Sequence, residues 1–368
     1  MSRVFVIVVD GFGVAPDGGE TSTLGTLCEQ YGRKISVLPV LFNMGLDAAV
    51  TGRGHVMRQA SVAVGSEEGH REMFGWITKQ PHPIPSEPLP RDVLMKLGNN
   101  CGVKLIGNKQ GRGRDVLPEL WLEHLQTGAI MLYRGLDSTV VVSADEIVVP
   151  RECLYKVAQA LRCMLDASAE LCVKKVLARP LRGGEPVEEL RRDFFQMIDG
   201  ESLLQKFVPL GWRRIVNGKV QEILSLPANM AVRTERDEQC FELLNAEVTA
   251  AEDEAFIMVN LEDFDRYAHM GDASACWRTL ERFDAFLQSF LDFLRSGDWV
   301  FVVADHGVKI GGGDLGSAHL RERVPLLCAS FTGPMLRIPS YDTYAVVGQA
   351  VGEIAGCGRP TSLCRTSD

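Results

Sequence analysis

The feature that most constrains the fold is a short apolar segment that ends in an acid and an imidazole. Val300 to Ala304 is a run of five apolar residues without alternation, a pattern typical of a central strand in a parallel sheet. Asp305 and His306 follow directly, and a glycine-rich loop then leads to His319. Sheets of α/β proteins carry their sites at the carboxyl ends of parallel strands, and carboxylates and imidazoles bind divalent metals well. The segment therefore predicts an α/β sheet with a metal site at one edge.

Strands alternate with helices along the rest of the chain. Predicted strands cover 3–9, 103–106, 130–133, 140–143, 173–178, 212–216, 256–261, 300–304 and 324–329, with a strand-like segment at 60–64. Predicted helices cover 21–31, 117–126, 152–169, 202–208, 238–249, 273–295 and 343–355. This alternation indicates a mostly parallel sheet that helices cover on both faces.

A proline-rich stretch separates two parts of the chain. Five prolines lie between Gln80 and Pro90, which is the composition of a linker. The block behind this stretch has strands and helices of its own. We predict a core formed by residues 1–88 and 204–368, with an inserted α/β cap domain at 89–203.

Composition argues against several functional classes. The chain of 368 residues is 46% hydrophobic and 24% charged, as in ordinary soluble globular proteins. A net charge of -9 without a cluster of lysines and arginines argues against nucleic-acid binding. The opening apolar run is too short for a signal peptide, and no apolar run is long enough to span a membrane. Ten cysteines without disulfide spacing favour a reducing, cytoplasmic setting.

Acids and imidazoles follow three of the predicted strands. Asp10 follows the first strand, while Asp265 and His269 follow strand 256–261 with a spacing of one helical turn. The complete set of predicted ligands is Asp10, Asp265, His269, Asp305, His306 and His319. Oxygen and nitrogen ligands without a thiolate suit two divalent ions. A single aspartate at a strand end is usually a cap or turn residue, so the prediction depends on the whole set.

Ser66 is the candidate nucleophile and the oxygen that would bridge two metals. It follows Gly65 and precedes a helix-like start at Glu67, where backbone N–H groups and the positive helix end favour an attached phosphate. Two cations would favour the ionised hydroxyl and neutralise the oxygens of a phosphoryl group. In-line attack by Ser66 would form a phosphoserine, from which water or a sugar hydroxyl would take the group.

These motifs resemble those of the phosphopentomutase family, within the alkaline phosphatase superfamily of two-metal phosphoryl-transfer enzymes. The similar segments are V-V-D-G-F-G-V-A-P-D (8–17), S-T-L-G (22–25), G-S-E-E-G-H-R-E-M-F-G (65–75), N-L-E-D-F-D (260–265), A-D-H-G (304–307) and H-L-R-E-R-V-P-L-L (319–327). The resemblance implies an alkaline-phosphatase-like core and an isomerase that interconverts pentose 1-phosphates and 5-phosphates. Ser66 stands where the family has its phosphorylated threonine.

The inserted block resembles the cap of the same family. The similar segments are L-I-G-N-K (105–109), E-H-L-Q-T-G (123–128), S-A-D (143–145) and A-R-P-L (178–181), with N-G-K-V (217–220) outside the block. By this likeness Ser143 and Asp145 would face the sugar, and Arg179 with Arg191 would hold the non-reacting phosphate. Lys219 would be a further phosphate contact. For Arg191, a solvated helix face is an equal alternative.

The resemblance also implies which molecules and metals the protein binds, and it leaves two alternative functions open. It implies a phosphosugar substrate, a sugar bisphosphate as candidate activator, and manganese, although the ligand set also admits Zn²⁺ or Mg²⁺. The nearest rival is a metal-dependent phosphatase or phosphodiesterase on the same core, with water as acceptor. A second alternative is a non-catalytic metal-binding protein. Such a protein would be expected to lack some of the ligand residues, but all six predicted ligands are present.

Overall fold

The chain folds into two compact units. The computed structural model describes residues 2–17, 21–50, 56–80, 88–135, 138–168, 171, 173–196, 207, 209–224, 230–232, 234, 236–250, 254–310, 319–330 and 342–356. Met1–Gln80 and Gly200–Asp368 form one unit, the core unit, and Pro81–Asp199 forms the other, the inserted unit. The predicted cap domain and the inserted unit share residues 89–199, and the role of this unit as a cap stays a prediction.

Both units contain β-strands. In chain order they are β1 (Arg3–Val9), β2 (Ala15–Pro16), β3 (Val56–Met57), β4 (Leu105–Gln110), β5 (Ile130–Arg134), β6 (Thr139–Asp145), β7 (Lys175–Arg182), β8 (Glu185–Pro186), β9 (Arg192–Phe195), β10 (Arg213–Asn217), β11 (Met230–Val232), β12 (Ala255–Leu261), β13 (Trp299–Val303), β14 (Gly307–Val308), β15 (His319–Leu320) and β16 (Glu322–Ser330).

Helices also occur in both units. In chain order they are α1 (Thr23–Tyr31), α2 (Pro39–Leu41), α3 (Asp47–Val50), α4 (Ser66–Met73), α5 (Arg91–Cys101), α6 (Gly113–Thr127), α7 (Arg151–Asp166), α8 (Gly218–Leu224), α9 (Asp237–Thr249), α10 (Asp263–His269), α11 (Ala273–Leu291) and α12 (Ala345–Ile354). Short 3₁₀ turns cover Ile35–Val37 and Glu188–Leu190, and a π-helical turn covers Phe42–Leu46.

Within the described residues, the main sheet of the core unit has eight strands. Its order is β11-β10-β12-β1-β13-β16-β2, and β3 also pairs with β16. The strands from β11 to β13 run parallel, whereas β16 is antiparallel to its neighbours. Every residue of β1, β12 and β13 is buried. Strands without a solvent-facing side need nearly continuous apolar sequence, which explains the pattern around 300–304. The predicted α/β fold class is confirmed.

The inserted unit has its own sheet and its own hydrophobic core. Its described strands run in the order β4-β5-β6-β7-β8, with β9 paired to β7. Ile130 and Leu132 of β5 pack in a cluster with residues of α5 and α7, whereas Met131 and Tyr133 pack in a second cluster with residues of α6. Side chains of a strand alternate between its faces, so helices cover this sheet on both sides.

One predicted strand is wrong. Residues 61–63 form bends, and no residue from 60 to 64 belongs to a strand. The carboxylate of Glu72 accepts the backbone N–H groups of Ala60 and Ser61 at 2.8 and 2.7 Å, and Arg321 donates to the carbonyl of Ser61. Since side chains satisfy this backbone, the apolar segment needs no neighbouring strand.

The other predicted elements overlap observed ones, with ends that differ by a few residues. The predicted helix 202–208 lies outside the described residues except for Phe207. Among the helices that the structure describes, none combines the length and apolar character that crossing a membrane requires.

Candidate metal centre and active site

Three neighbouring parallel strands bring their carboxyl ends to one edge of the core sheet. Val8 of β1 pairs with Asn260 of β12 on one side and with Val303 of β13 on the other. Asp10 follows directly after β1, Asp305 stands two residues beyond β13, and α10 begins two residues beyond β12. The register of the sheet therefore brings acids that are far apart in sequence to the same level.

The candidate ligand atoms form two overlapping groups. Asp265, His269 and His319 make one group, and Asp10, Asp265 and His306 make the other. Within each group, one ligand atom of every residue lies within 4.8 Å of the others. Asp265 belongs to both groups, a position suited to a carboxylate shared between two sites.

Asp305 lies beside these groups. Its Oδ1 accepts the backbone N–H of Gly11 at 3.1 Å, and its Oδ2 lies 3.4 Å from His306 Nε2. The same Oδ2 is 3.4 Å from Nδ1 of His70, which is fully buried. The structure thus gathers all six predicted ligands at one edge of the core sheet.

Ser66 stands within reach of this cluster. Its Oγ lies 3.1 Å from His306 Nε2 and 3.4 Å from Asp10 Oδ1. Ser66 is the first residue of α4, and Gly69 in the same helix passes so close to β13 that a Cβ there would lie 2.2 Å from the carbonyl oxygen of Asp305. A glycine is therefore what allows α4 to bring Ser66 to the ligands.

The cluster fits divalent metals. Asp265 Oδ1 and Asp305 Oδ2 are buried carboxylate oxygens without a hydrogen-bond donor among the described residues. Such oxygens are costly to bury unless something positively charged binds them. Burial lowers the pKa of both His306 and His319, the latter to about 4 with a contribution from His306. Both imidazoles are therefore neutral at pH 7, which is the form that binds a metal. His269 differs, since its hydrogen bond with Asp265 raises its pKa.

The pKa of Asp10 is strongly shifted by its neighbours. Its burial works to raise its pKa, but the nearby charges, with Lys219 first, outweigh burial and hold the pKa well below its ordinary value. Lys219 Nζ forms an ion pair with Asp10 Oδ2, to which Asn260 Nδ2 also donates, at 2.8 Å. For Asp305 the balance is opposite, because burial and the charge of Asp10 raise its pKa.

A cavity of about 320 Å³ opens beside the carboxylates. It is lined by Asp10, Lys219, Glu262, Asp265, Arg266, His269 and Met270. Lys219 and Arg266 bring positive charge to a wall that otherwise carries acids. The cavity thus combines candidate metal ligands with side chains that can bind an anion.

Two predicted sugar contacts lie in the inserted unit. Ser143, on β6, is fully buried, and its Oγ donates to the carbonyl of Arg179 at 2.6 Å. Asp145, the last residue of β6, accepts the backbone N–H of Ile147 at 3.0 Å and that of Gly184 at 3.4 Å. Both side chains have partners within their own unit, and their role toward a sugar stays a prediction.

The two predicted phosphate-binding arginines also lie in the inserted unit. Arg179 Nη1 donates to Tyr133 Oη at 3.3 Å. Arg191 follows the 3₁₀ turn and donates from Nε and Nη2 to the carboxylate of Asp193, both at 2.8 Å. The guanidinium group of Arg191 is thus already paired with the carboxylate of Asp193 in the same unit. Arg191 is in extended conformation between the 3₁₀ turn and β9, so the alternative of a solvated helix face is wrong, whereas the phosphate contact stays a prediction.

Asn260 is a residue of the site that no sequence motif predicted to be functional. It is fully buried on β12 and donates to Asp10. The signal in the sequence was a polar residue within an otherwise apolar strand, which becomes informative only when the register with β1 is known.

The chain is similar to a family of metalloenzymes and to several mutases. Residues 211–351 match the model of the Metalloenzyme superfamily. A phosphopentomutase of Caldanaerobacter subterraneus subsp. tengcongensis is 30% identical and covers 97% of this chain and 95% of that protein. A phosphopentomutase of Pseudothermotoga lettingae is 30% identical, with 96% of each chain covered. A solved phosphoglycerate mutase of Leishmania mexicana is similar over 97% of this chain and 96% of that one, with 12% identity and a TM-score of 0.49.

Proposed function

Because this chain belongs to the phosphopentomutase family, we propose that it interconverts the 1-phosphate and 5-phosphate of a ribose- or deoxyribose-type pentose through a phosphoserine at Ser66. Family membership makes the chain a metal-dependent phosphotransferase, an isomerase that acts on a phosphosugar. The observation that carries the finer proposal is the position of Ser66 Oγ, 3.1 Å from His306 Nε2 and 3.4 Å from Asp10 Oδ1.

The residues that would hold two divalent ions are those of the two overlapping groups together with Asp305 and Ser66. They are Asp10, Ser66, Asp265, His269, Asp305, His306 and His319. When bound there, Mn²⁺, or Zn²⁺ or Mg²⁺ in its place, would supply positive charge that stabilises a phosphoryl group during transfer.

The protein would orient its own nucleophile and ligands. Nδ1 of His306 lies 3.1 Å from the carbonyl oxygen of Gly307, an acceptor, so Nδ1 carries the proton and Nε2 presents its lone pair to the cluster. Ser66 begins α4, where the positive end of the helix dipole would stabilise a phosphate on its Oγ.

The remaining predicted residues would bind the phosphosugar. Lys219 lines the cavity beside the ligands and would contact a phosphate once the charge of Asp10 is shared with a metal. Ser143 and Asp145 would contact the sugar, and Arg179 with Arg191 would hold the non-reacting phosphate. A sugar bisphosphate would serve as activator by phosphorylating Ser66.

A product assay tests this function. With Mn²⁺ and ribose 5-phosphate, we expect ribose 1-phosphate to form without equivalent release of inorganic phosphate. Free phosphate without ribose 1-phosphate would instead identify a phosphatase. Metal binding with no turnover of either kind would identify the non-catalytic alternative.

The nucleophile has its own test. We expect Ser66→Ala to lower turnover by at least about a thousandfold, because the variant lacks the proposed attacking oxygen. Incubation with ribose 1,5-bisphosphate should add one phosphate group to the wild-type protein, as seen by intact mass, and none to Ser66→Ala. Ser61→Ala is the matched control, since Ser61 Oγ accepts the Thr78 N–H and contacts no ligand. Full turnover in Ser66→Ala would contradict the assignment.

A further inference from the structure

The two oxygens of the Asp10 carboxylate face different surroundings. Oδ1 points toward Ser66 Oγ and His306 Nε2, at 3.4 and 3.3 Å. Oδ2 is held from the other side by Asn260 Nδ2 at 2.8 Å and by the Lys219 ammonium group. Asp10 is fully buried, and two donors already occupy its Oδ2. The carboxylate can therefore present only Oδ1 to a metal.

The amide of Asn260 has a defined orientation. Its neighbour is a carboxylate oxygen, which accepts hydrogen bonds and cannot donate when ionised, so the amide must present its NH₂ group to Asp10. Asn260 is fully buried, whereas the Lys219 side chain is about a quarter exposed and reaches the site from α8. Of the two donors to Asp10 Oδ2, the asparagine is the one that the sheet itself places.

Asn217 fixes the backbone of Asn260. The ladder between β10 and β12 ends with the pair Val216 and Met258. Beyond that point the side chain of Asn217 continues the pairing, since its Oδ1 accepts the N–H of Asn260 at 2.9 Å and its Nδ2 donates to the carbonyl of Asn260 at 3.0 Å. Both main-chain groups of Asn260 are thus satisfied by one buried amide.

We infer that Asn260, held by Asn217, is a positioning residue that orients Asp10 for metal binding. The inference rests on the proposed function, because it takes Asp10 as a ligand. A neutral amide suits this task, since it grips Oδ2 without adding a positive charge that would oppose the metal. Groups that orient a ligand in this way typically change metal affinity or activity by about 10- to 100-fold when they are removed.

The test is the affinity of metal-free enzyme for Mn²⁺, measured by calorimetric titration or from the EPR signal of free Mn²⁺. We expect Asn260→Ala to raise the dissociation constant by about 10- to 100-fold. Asn260→Val fills the volume with a residue that favours strands, and it should show the same loss if the cavity left by alanine is not the cause. Unfolding of each metal-free variant shows whether it is folded before the titration.

Two further variants make the result decisive. Thr234→Val is the matched control, because Thr234 Oγ1 accepts from the same Asn217 amide at 2.9 Å but does not touch Asp10. It should bind Mn²⁺ as the wild type does. An equal loss in Thr234→Val, or affinities within about twofold of wild type for both Asn260 variants, would overturn the inference. Asp10→Asn tests the proposed ligand set separately from the role of Asn260. If Asp10→Asn leaves Mn²⁺ affinity unchanged, Asp10 is not a metal ligand, and the inference about Asn260 is wrong as well.

Discussion

At the scale of single residues, Glu322 is an acid that the fold keeps away from water. It is 4% exposed, and its carboxyl group packs against Gly13 and Gly307 while facing Thr23. The Thr23 hydroxyl lies 2.9 Å from the carbonyl of Val308 and 3.0 and 3.1 Å from the two Glu322 oxygens, but it has only one hydrogen to donate. A protonated Glu322 resolves this, because it donates to Thr23 and frees that hydrogen for Val308.

Burial raises the pKa of Glu322 from its ordinary 4.5 to about 7, although bonds from Thr23 work in the opposite direction. Between these two values the folded state holds a proton that the unfolded state has lost. The stability from this group is therefore fully present below pH 4.5 and is lost as the pH rises through about 7.

Glu322→Gln should remove this dependence on pH, because the amide can donate to Thr23 as the protonated acid does. Relative to wild type, we expect its free energy of unfolding to rise by about 2 kcal/mol between pH 5 and pH 8. Urea unfolding with a chelator present measures this without interference from metal binding. Parallel pH profiles for the two proteins would show that Glu322 is ionised throughout.

At the scale of elements, the approach of α4 to the end of β13 decides where Ser66 lies. At Gly69 there is no room for a side chain, since a Cβ would also lie 2.8 Å from the Cα of Asp305. The contact joins the helix that begins with the candidate nucleophile to the strand that ends in candidate ligands. Because protein interiors are closely packed, a displacement at this contact would move the rest of α4, including Ser66.

Gly69→Ala should therefore displace α4 from β13. We expect a loss of about 1–3 kcal/mol in the free energy of unfolding and a clear loss of turnover with ribose 5-phosphate. Gly102→Ala is the matched control: its φ of +66° gives a backbone cost of about 1 kcal/mol, but a Cβ there meets open space. Wild-type turnover in Gly69→Ala would show that the contact does not position Ser66.

At the scale of the whole molecule, the two units have separate hydrophobic cores. The clusters of the inserted unit are built from its own helices and strands, while the candidate ligands belong to the core unit. A ligand that binds only the folded state raises the free energy of opening of the structure that contains its site.

Mn²⁺ should therefore protect the core unit from hydrogen exchange and leave the inserted unit unchanged. At a concentration 100 times its dissociation constant, we expect about 2.7 kcal/mol of added protection in β1, β12 and β13, and none in β5 to β7. Exchange read by mass spectrometry measures both units in one experiment. Asp265→Asn, which alters the residue shared by both ligand groups, should abolish the protection. Equal protection of the inserted unit would mean that the units open together.

The central strands, and the acids and imidazoles at their ends, could be predicted from local sequence alone. A strand buried on both faces requires continuous apolar residues, and the polar residue that ends such a run marks the edge of the sheet. For this reason the candidate ligands Asp10, Asp265 and Asp305 are predictable from their places in the chain. Ser66 and the inserted block were also predictable locally, from the helix-like start at Glu67 and from the proline-rich stretch between Gln80 and Pro90, and the family motifs agree with both predictions.

Contacts between distant residues could not be predicted and emerge from the folded chain. Asn260 and Asp10 are 250 positions apart, and nothing local to either predicts that one orients the other. The sharing of Asp265 between two ligand groups depends on the register of three strands. Residues 60–64 have the apolar composition of a strand, yet Glu72 and Arg321 satisfy their backbone from elsewhere. Local sequence limits the structures that a segment can form, and distant partners decide which one it adopts, because a buried backbone N–H or carbonyl group without a hydrogen bond is costly.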